Sequence, residues 1–300
     1  MMNYITPKKL LENTISIIDG AYAPATIRAY KKNFERFITF SEFFNECALP
    51  AKSLHVTRYI KQISDGRLKS ASIRIAVASI SAIHKLNQYN DPTNHPEVRL
   101  EVRRMHRTLG RQSKQAVGIN EDTLHKMISY TKDDLIGFRD RALLLTAYAG
   151  MCRRSELIEL RVEDISYTCD QSIKINLRRS KTDQYGLGRW LFLNNEAQEA
   201  IIEWLKTSGI KKGKLFRGIK GTTILGEGLS SSQINRIYKK LARKSQMEQT
   251  LIKGISGHSM RVGAAQDLLK SGASLPIIMN RGRWSKPDTV MRYIEQVSFN

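Results

Sequence analysis

The segment Gly254-Ile255-Ser256-Gly257-His258-Ser259-Met260-Arg261-Val262-Gly263-Ala264-Ala265 sets a histidine and an arginine three residues apart at a helix start. Ser256 is the expected N-cap, which puts His258 in the first turn and Arg261 one turn later. Residues at i and i+3 share a helix face. The unpaired N–H groups of a helix start favour an anion. A His and an Arg side by side there suit a phosphate, although alone such a pair is also what an ordinary polar face looks like.

The surrounding segments change that balance. Gly282-Arg283-Trp284-Ser285 precedes a helix that Ser285 and Pro287 are expected to open, with Asp288 as the capping partner of Ser285. Tyr293 lies on this helix, within Val290-Met291-Arg292-Tyr293-Ile294. Upstream, Gly150-Met151-Cys152-Arg153-Arg154-Ser155-Glu156-Leu157 places an arginine three residues before a glutamate at another helix start. Ser172 to Leu177 alternates apolar and polar residues, and Gly188 to Leu193 follows a polar loop. That pattern predicts a small antiparallel sheet with the loop Arg178 to Gly186, carrying Ser180-Lys181-Thr182, at its tip. The basic, glycine-rich stretch Lys211 to Gly228 reads as loop, and helices are expected over Asn120–Tyr130, Leu135–Met151, from Asn195, and over Ser231–Gln246.

The first 110 or so residues are helical in pattern. Ile27, Tyr30, Phe34, Phe37 and Ile38 recur at helical spacing and read as core. Ser53 is the expected cap of a helix holding Val56, Tyr59, Ile60 and Ile63, and Ser70 opens another with Ile73, Val77, Ile80 and Ile83. Glu97 to Leu109 forms a basic helix with Arg99, Arg103, Arg104 and Arg107, which suit phosphate contact. Residues 110–118 are polar and basic and read as a linker between a domain at 1–109 and another at 119–300.

Charge bounds the partner. Forty-nine Lys and Arg face 28 Asp and Glu among 300 residues, a formal net charge of +21. Residues 1–116 hold 19 basic and 9 acidic residues, and residues 117–300 hold 30 and 19. A basic tail would load one end, whereas here both halves carry the surplus. Nucleic acid is the expected polyanion. A hydrophobic content of 41% excludes a disordered tail, and three cysteines exclude a disulfide scaffold. The longest apolar run, Ala142 to Cys152, is far short of a membrane span, and no leader-like pattern opens the chain, so a cytoplasmic location is expected. The six histidines and three cysteines show no metal-ligand spacing, and no GxxxxGK[ST] loop is present, so no metal or other cofactor is expected.

Together these motifs resemble the tyrosine recombinases (the phage-integrase family), and most closely their Cre-like branch. The shared pattern is an Arg before Ser-Glu-Leu, a Lys on a β-hairpin, His-x-x-Arg, a His or Trp, and a Tyr. Here these are Arg153, Lys181, His258, Arg261, Trp284 and Tyr293. Only register distinguishes Arg153 from Arg154. The family usually carries Gly two residues before the arginine, whereas here Met151 takes that place. The resemblance implies a mainly α protein forming a C-shaped clamp on DNA, with a helical N-terminal DNA-binding domain and an α-rich catalytic domain holding a small antiparallel sheet. It implies DNA strand cleavage by Tyr293, leaving a 3′-phosphotyrosine and a free 5′-hydroxyl. Arg153 and Arg261 would hold the phosphate, Lys181 would act as general acid and His258 as acid–base group. Trp284 would bind and pack, with plain core as its alternative, and Glu156 would orient the arginines or His258. Arg99, Arg103, Arg104, Arg107, Arg111, Lys114, Arg178 and Arg179 are the expected DNA contacts. The expected partners are double-stranded DNA with short inverted-repeat sites and further copies of the chain in a tetramer, with no membrane. Two rivals share the fold, namely a DNA-binding regulator without chemistry and a relaxing topoisomerase.

Overall fold

The structure, a computed structural model, describes residues 6–111, 115–169, 172–178 and 188–295. The chain divides into two compact units, Met1–Lys114 and Gln115–Asn300. No helix among the described residues is long and apolar enough to cross a membrane.

The first unit is helical. It comprises α1 (Pro7–Ile17), α2 (Pro24–Phe43), α3 (Ser53–Asp65), α4 (Ser70–Leu86) and α5 (Pro96–Leu109). α1 had no counterpart in the periodicity of the sequence. Thr6 caps it by accepting from the Lys9 N–H at 3.3 Å. Phe34, Phe37 and Ile38 of the expected stripe are buried, while Ile27 and Tyr30 are half-buried. Phe34, Phe37 and Ile38 pack with Val56, Tyr59, Ile60, Ile73, Ile80 and Ile83 from α3 and α4. The cap of α3 differs from expectation: Ser53 is already helical, and Lys52 stands at the N-cap without a side-chain bond. Two histidines lie inside this core. His84 accepts from the Ala51 N–H through Nε2 at 2.9 Å, so its Nδ1 donates to the Ile80 carbonyl at 2.8 Å and the ring is neutral. His55 Nε2 pairs with Ser41 Oγ at 2.9 Å.

The second unit is built round α7 (Leu135–Ala149), which is apolar on nearly every face and therefore sits inside. α6 (Glu121–Ile128), α8 (Arg154–Glu159) and α9 (Asn195–Ser208) pack against it, and α10 (Ser231–Lys244) packs on α6 and α8. A three-stranded antiparallel sheet runs β1 (Ile165–Tyr167), β2 (Ile173–Leu177), β3 (Arg189–Leu191). Ile173, Ile175 and Leu177 of β2 point to the core, as the alternation requires. The stretch read as a loop over Lys211 to Gly228 contains a second hairpin, β4 (Arg217–Lys220) with β5 (Thr223–Gly228). Ile219 pairs with Ile224, and Gly221 at φ +61° supplies the tight turn. The glycine and lysine content masked this short apolar pairing.

The unit closes with α11 (Gln249–Gly254), α12 (Ser259–Lys270), α13 (Leu275–Gly282) and α14 (Pro287–Ile294). Met151, Ala264, Ala265, Ile278, Trp284, Val290 and Ile294 form a small separate core beneath these helices. α12 lies against the incoming chain, with the Ile119 N–H donating to the Ser259 carbonyl at 3.0 Å. A Cβ at Gly263 would meet the Ile119 carbonyl oxygen at 1.8 Å, so only glycine permits this approach.

Candidate functional site

The site is assembled from the end of α7, the start of α8, α12 and the α13–α14 junction. α7 ends at Gly150, and Met151 follows at φ +44°, a conformation favouring glycine. Met151 occupies the position where the resembled family usually has glycine, and its backbone has nevertheless kept the left-handed turn. This turn aims the Met151 carbonyl at Arg261, whose Nη1 donates to it at 2.8 Å.

Arg153 is the N-cap residue of α8 and Glu156 its third helical residue. The Glu156 carboxylate accepts from the Arg153 N–H at 2.9 Å and from Arg153 Nη1 at 2.5 Å. The Arg-to-Glu spacing is therefore half a capping box as well as an ion pair. Arg154 is turned the other way, its stem against Gly257, so Arg153 is the one that joins the cluster.

The helix carrying His258 and Arg261 starts later than expected. α12 begins at Ser259, with His258 at the N-cap position and Ser256 outside the helix, accepting from the His258 N–H at 3.2 Å. The Ser259 hydroxyl accepts from the Ser256 N–H at 2.9 Å, so it is Ser259 that ties the helix start together. His258 is exposed, whereas Arg261 is 1% exposed. Similarly, α14 begins with Pro287 after Lys286, and neither Ser285 nor Asp288 caps it, because the fixed φ of Pro287 starts the helix without a side-chain bond.

Trp284 is buried and bridges the two side chains of greatest interest. The Arg261 guanidinium carbon lies 4.1 Å from its ring centroid, and the Tyr293 ring lies 5.7 Å away at an interplanar angle of 41°. A Cβ at Gly282 would meet the indole at 1.8 Å, so glycine makes room for the ring. Tyr293 is half-buried on α14. Its carbonyl accepts from Gln266 Nε2 at 3.0 Å and Gln115 Nε2 at 3.4 Å.

Arg283 has no role in the motif pattern of the sequence, and the structure places it at the centre. It caps α13 in the left-handed conformation at φ +57° and is buried. Its Nη1 donates to the Gly150 carbonyl at 2.9 Å, and its Nη2 to the Met151 carbonyl at 3.1 Å and Glu156 Oε2 at 2.9 Å. The signal was weak, because an arginine is ordinarily read as exposed. Its place between a helix-ending glycine and a tryptophan was the available hint.

The electrostatics follow from these contacts. Burial alone would raise the pKa of Glu156, but Arg283 and Arg153, with the Arg153 N–H, hold it below the usual carboxylate range. Arg261 is brought down to about 9 by burial and by the like charges of Arg153 and Arg283, and so stays cationic at neutral pH. Three guanidiniums thus gather at one carboxylate that pairs with only two of them, Arg153 and Arg283, and Arg261 Nη2 is buried with no hydrogen-bond partner. Such an excess of oriented donors can hold an anion with two or more oxygens. Cys152, buried beside the cluster, is pushed up to about 12 by burial and is a thiol. Among the described residues no group of three or more His, Cys, Asp or Glu could hold a metal ion.

The other expected site residues divide as follows. Arg99, Arg103, Arg104 and Arg107 are exposed along α5, and Arg111 is exposed just beyond it. Arg104 pairs with Glu101 at 2.8 Å, and Arg99 donates to Asn94 Oδ1 at 3.2 Å. Arg178 pairs with the buried Asp164 carboxylate. Lys181, Lys114 and Arg179 lie outside the described residues.

Residues 118–298 match the Phage integrase family. An integrase/recombinase xerD homolog of Selenomonas ruminantium is 27% identical over 290 residues, covering 93% of this chain and 84% of that protein. Recombinase cre of Escherichia phage P1 is 26% identical over 265 residues, covering 83% and 77%. Among solved structures, XerH site-specific recombinase bound to palindromic difH substrate has a TM-score of 0.68 at 17% identity, covering 99% of this chain and 83% of that one. The Tn1549 transposon integrase in complex with transposon right end DNA has a TM-score of 0.67 at 15% identity, covering 98% and 96%. At these identities the structural likenesses establish a shared, mainly helical fold with small antiparallel sheets. With a family match over more than half its length, the chain belongs to the Phage integrase family.

Proposed function

We propose that the protein is a tyrosine-type site-specific DNA recombinase. The observation that carries this reading is the buried guanidinium cluster with its unpartnered Arg261 Nη2, set beside Tyr293 across the Trp284 ring. A phenol of pKa near 10 is about 0.1% ionised at pH 7, a cost of roughly 4 kcal/mol, so the tyrosine needs help. Arg153 and Arg261 hold the two non-bridging oxygens of one phosphate, where charge develops in the transition state. Tyr293 Oη attacks the phosphorus as its proton passes to His258. The bond to the 5′-oxygen breaks, and Lys181 protonates that oxygen. The products are a 3′-phosphotyrosine and a 5′-hydroxyl, and attack by a second 5′-hydroxyl reverses the step. The ester link conserves the bond energy, so rejoining requires neither ATP nor a metal.

In this reading the domain at 1–109 and the catalytic domain at 119–300, joined by residues 110–118, grip short inverted-repeat sites in the cytoplasm. Exposed arginines of α5 contribute to that grip. Four copies on two duplexes exchange strands through a Holliday junction.

The test begins with fragmented genomic and plasmid DNA, retained by the protein and sequenced to recover a site. Wild type and Tyr293→Phe are then incubated with that duplex. The expected result is DNA binding by both and a covalent adduct from the wild type alone. An adduct from the Phe variant removes Tyr293 as nucleophile. Binding without any wild-type adduct favours a DNA-binding regulator of the same fold.

A further inference from the structure

We propose that Arg283 is a positioning residue, which frees Arg153 for the phosphate by taking half of the Glu156 carboxylate and fixes Arg261 through the turn they share. The inference rests on the recombinase reading and concerns a residue that the six-residue pattern omits.

Arg283 touches the partners of both phosphate-holding arginines. Through Nη2 it donates to Glu156 Oε2, while Arg153 Nη1 holds Oε1 of the same carboxylate. The same Nη2 reaches the Met151 carbonyl, which also receives Arg261 Nη1. Nη1 ties down the neighbouring Gly150 carbonyl. The Arg283 carbonyl in turn accepts from Arg153 Nη2 at 3.5 Å. Its Nη atoms are thus committed to protein acceptors, so Arg283 is poorly disposed to bind phosphate itself. A buried guanidinium is costly to desolvate, and this one also sits at positive φ, where side chains are disfavoured. A side chain kept under both penalties, with its two Nη atoms bonded to one turn, one carboxylate and the Arg281 carbonyl, organises its neighbours. Without it, Glu156 would draw both ends of its charge from Arg153 and compete with phosphate for the Arg153 donors.

The experiment compares wild type, Arg283→Met, Arg283→Lys, Glu156→Gln and the Met–Gln double variant. It measures single-turnover adduct formation on a nicked duplex of the recovered site, together with DNA affinity. We expect Arg283→Met to slow adduct formation about 100-fold at saturating DNA while affinity stays within about 2-fold. Arg283→Lys, which keeps the charge but not the fork, should lose about 10-fold. In the Glu156→Gln background, itself slowed, the Met substitution should cost no more than about 3-fold further. An equal loss with and without the Glu156 carboxylate overturns the proposal, as does an unchanged rate or a loss of affinity alone. If Arg283→Met does not fold, Arg283→Lys in the two backgrounds carries the same comparison.

If the wild type binds its site but forms no adduct, the recombinase reading fails, and the same variants are titrated with orthovanadate. There Arg283→Met should weaken binding about 10-fold with Glu156 present and less than about 3-fold in the Glu156→Gln background, by the same cycle. Equal weakening in both backgrounds overturns the role assigned to Arg283.

Discussion

The Arg261 guanidinium lies against the Trp284 indole, 4.1 Å from carbon to ring centroid, and the same ring system reaches Tyr293. One aromatic side chain therefore spaces the principal buried cation from the phenol it is proposed to serve. A desolvated cation–π contact contributes on the order of 2 kcal/mol. Trp284→Ala is expected to slow adduct formation by about 10- to 100-fold with little change in DNA affinity, by analogy with small displacements of reacting groups. Trp284→Phe, which keeps a π-face, should retain most of the rate. Equal rates for Ala and wild type would reduce Trp284 to plain core.

Gly263 is held against the backbone at Ile119, where a Cβ would stand 1.8 Å from the carbonyl oxygen. Backbone cannot yield as a flexible side chain can. Gly263→Ala is expected to destabilise the second unit by about 1–3 kcal/mol or more, through overpacking. Thermal unfolding should report a Tm lower by several degrees. An unchanged Tm would mean that α12 shifts freely, and Arg261 with it.

The first unit should weaken in mild acid. Burial lowers the pKa of His55, helped by Arg58 and opposed by Glu46. Burial also lowers that of His84, against the Ile80 hydrogen bond and Asp91. Both folded values lie below the unfolded 6.5, so below that pH the unfolded chain takes up protons that the folded chain refuses. The stabilisation is fully present above pH 6.5 and is lost as pH falls from there toward the folded values. Hydrogen exchange of α2 to α4, corrected for intrinsic rates, should show less protection at about pH 5.5 than at about pH 7.5. His84→Gln, which does not titrate, should flatten that dependence, and a flat profile in the wild type would contradict it.

Arg103 and Arg107 stand exposed on α5, where Arg104 is already paired with Glu101. Replacing both with Ala should weaken DNA binding across sequences and reduce the slope of affinity against salt by about 2. Adduct formation at saturating DNA should be unchanged. A slope equal to wild type would take α5 off the duplex.

The residue types and order of the site were legible in the chain. Arg153, Glu156, His258, Arg261, Trp284 and Tyr293 stood out through their resemblance, in type, order and spacing, to the tyrosine-recombinase pattern, since a helix start or an i,i+3 spacing alone also suits an ordinary polar face. The surplus of +21, spread over both halves, pointed equally early to a polyanion. Local signals were less exact about the helix starts: Ser256 and Ser285 could each have capped a helix, and neither does. The β4–β5 hairpin escaped for a related reason, since one Ile219–Ile224 pair is too little apolar pattern to stand out among lysines and glycines. Arg283 depended on tertiary structure altogether. An arginine becomes a buried organising group only when carbonyls and a carboxylate from 127 to 133 residues away converge to satisfy its donors. Composition and spacing report which side chains a chain can devote to chemistry, but whether a charge is desolvated and shared is decided by the packing that surrounds it.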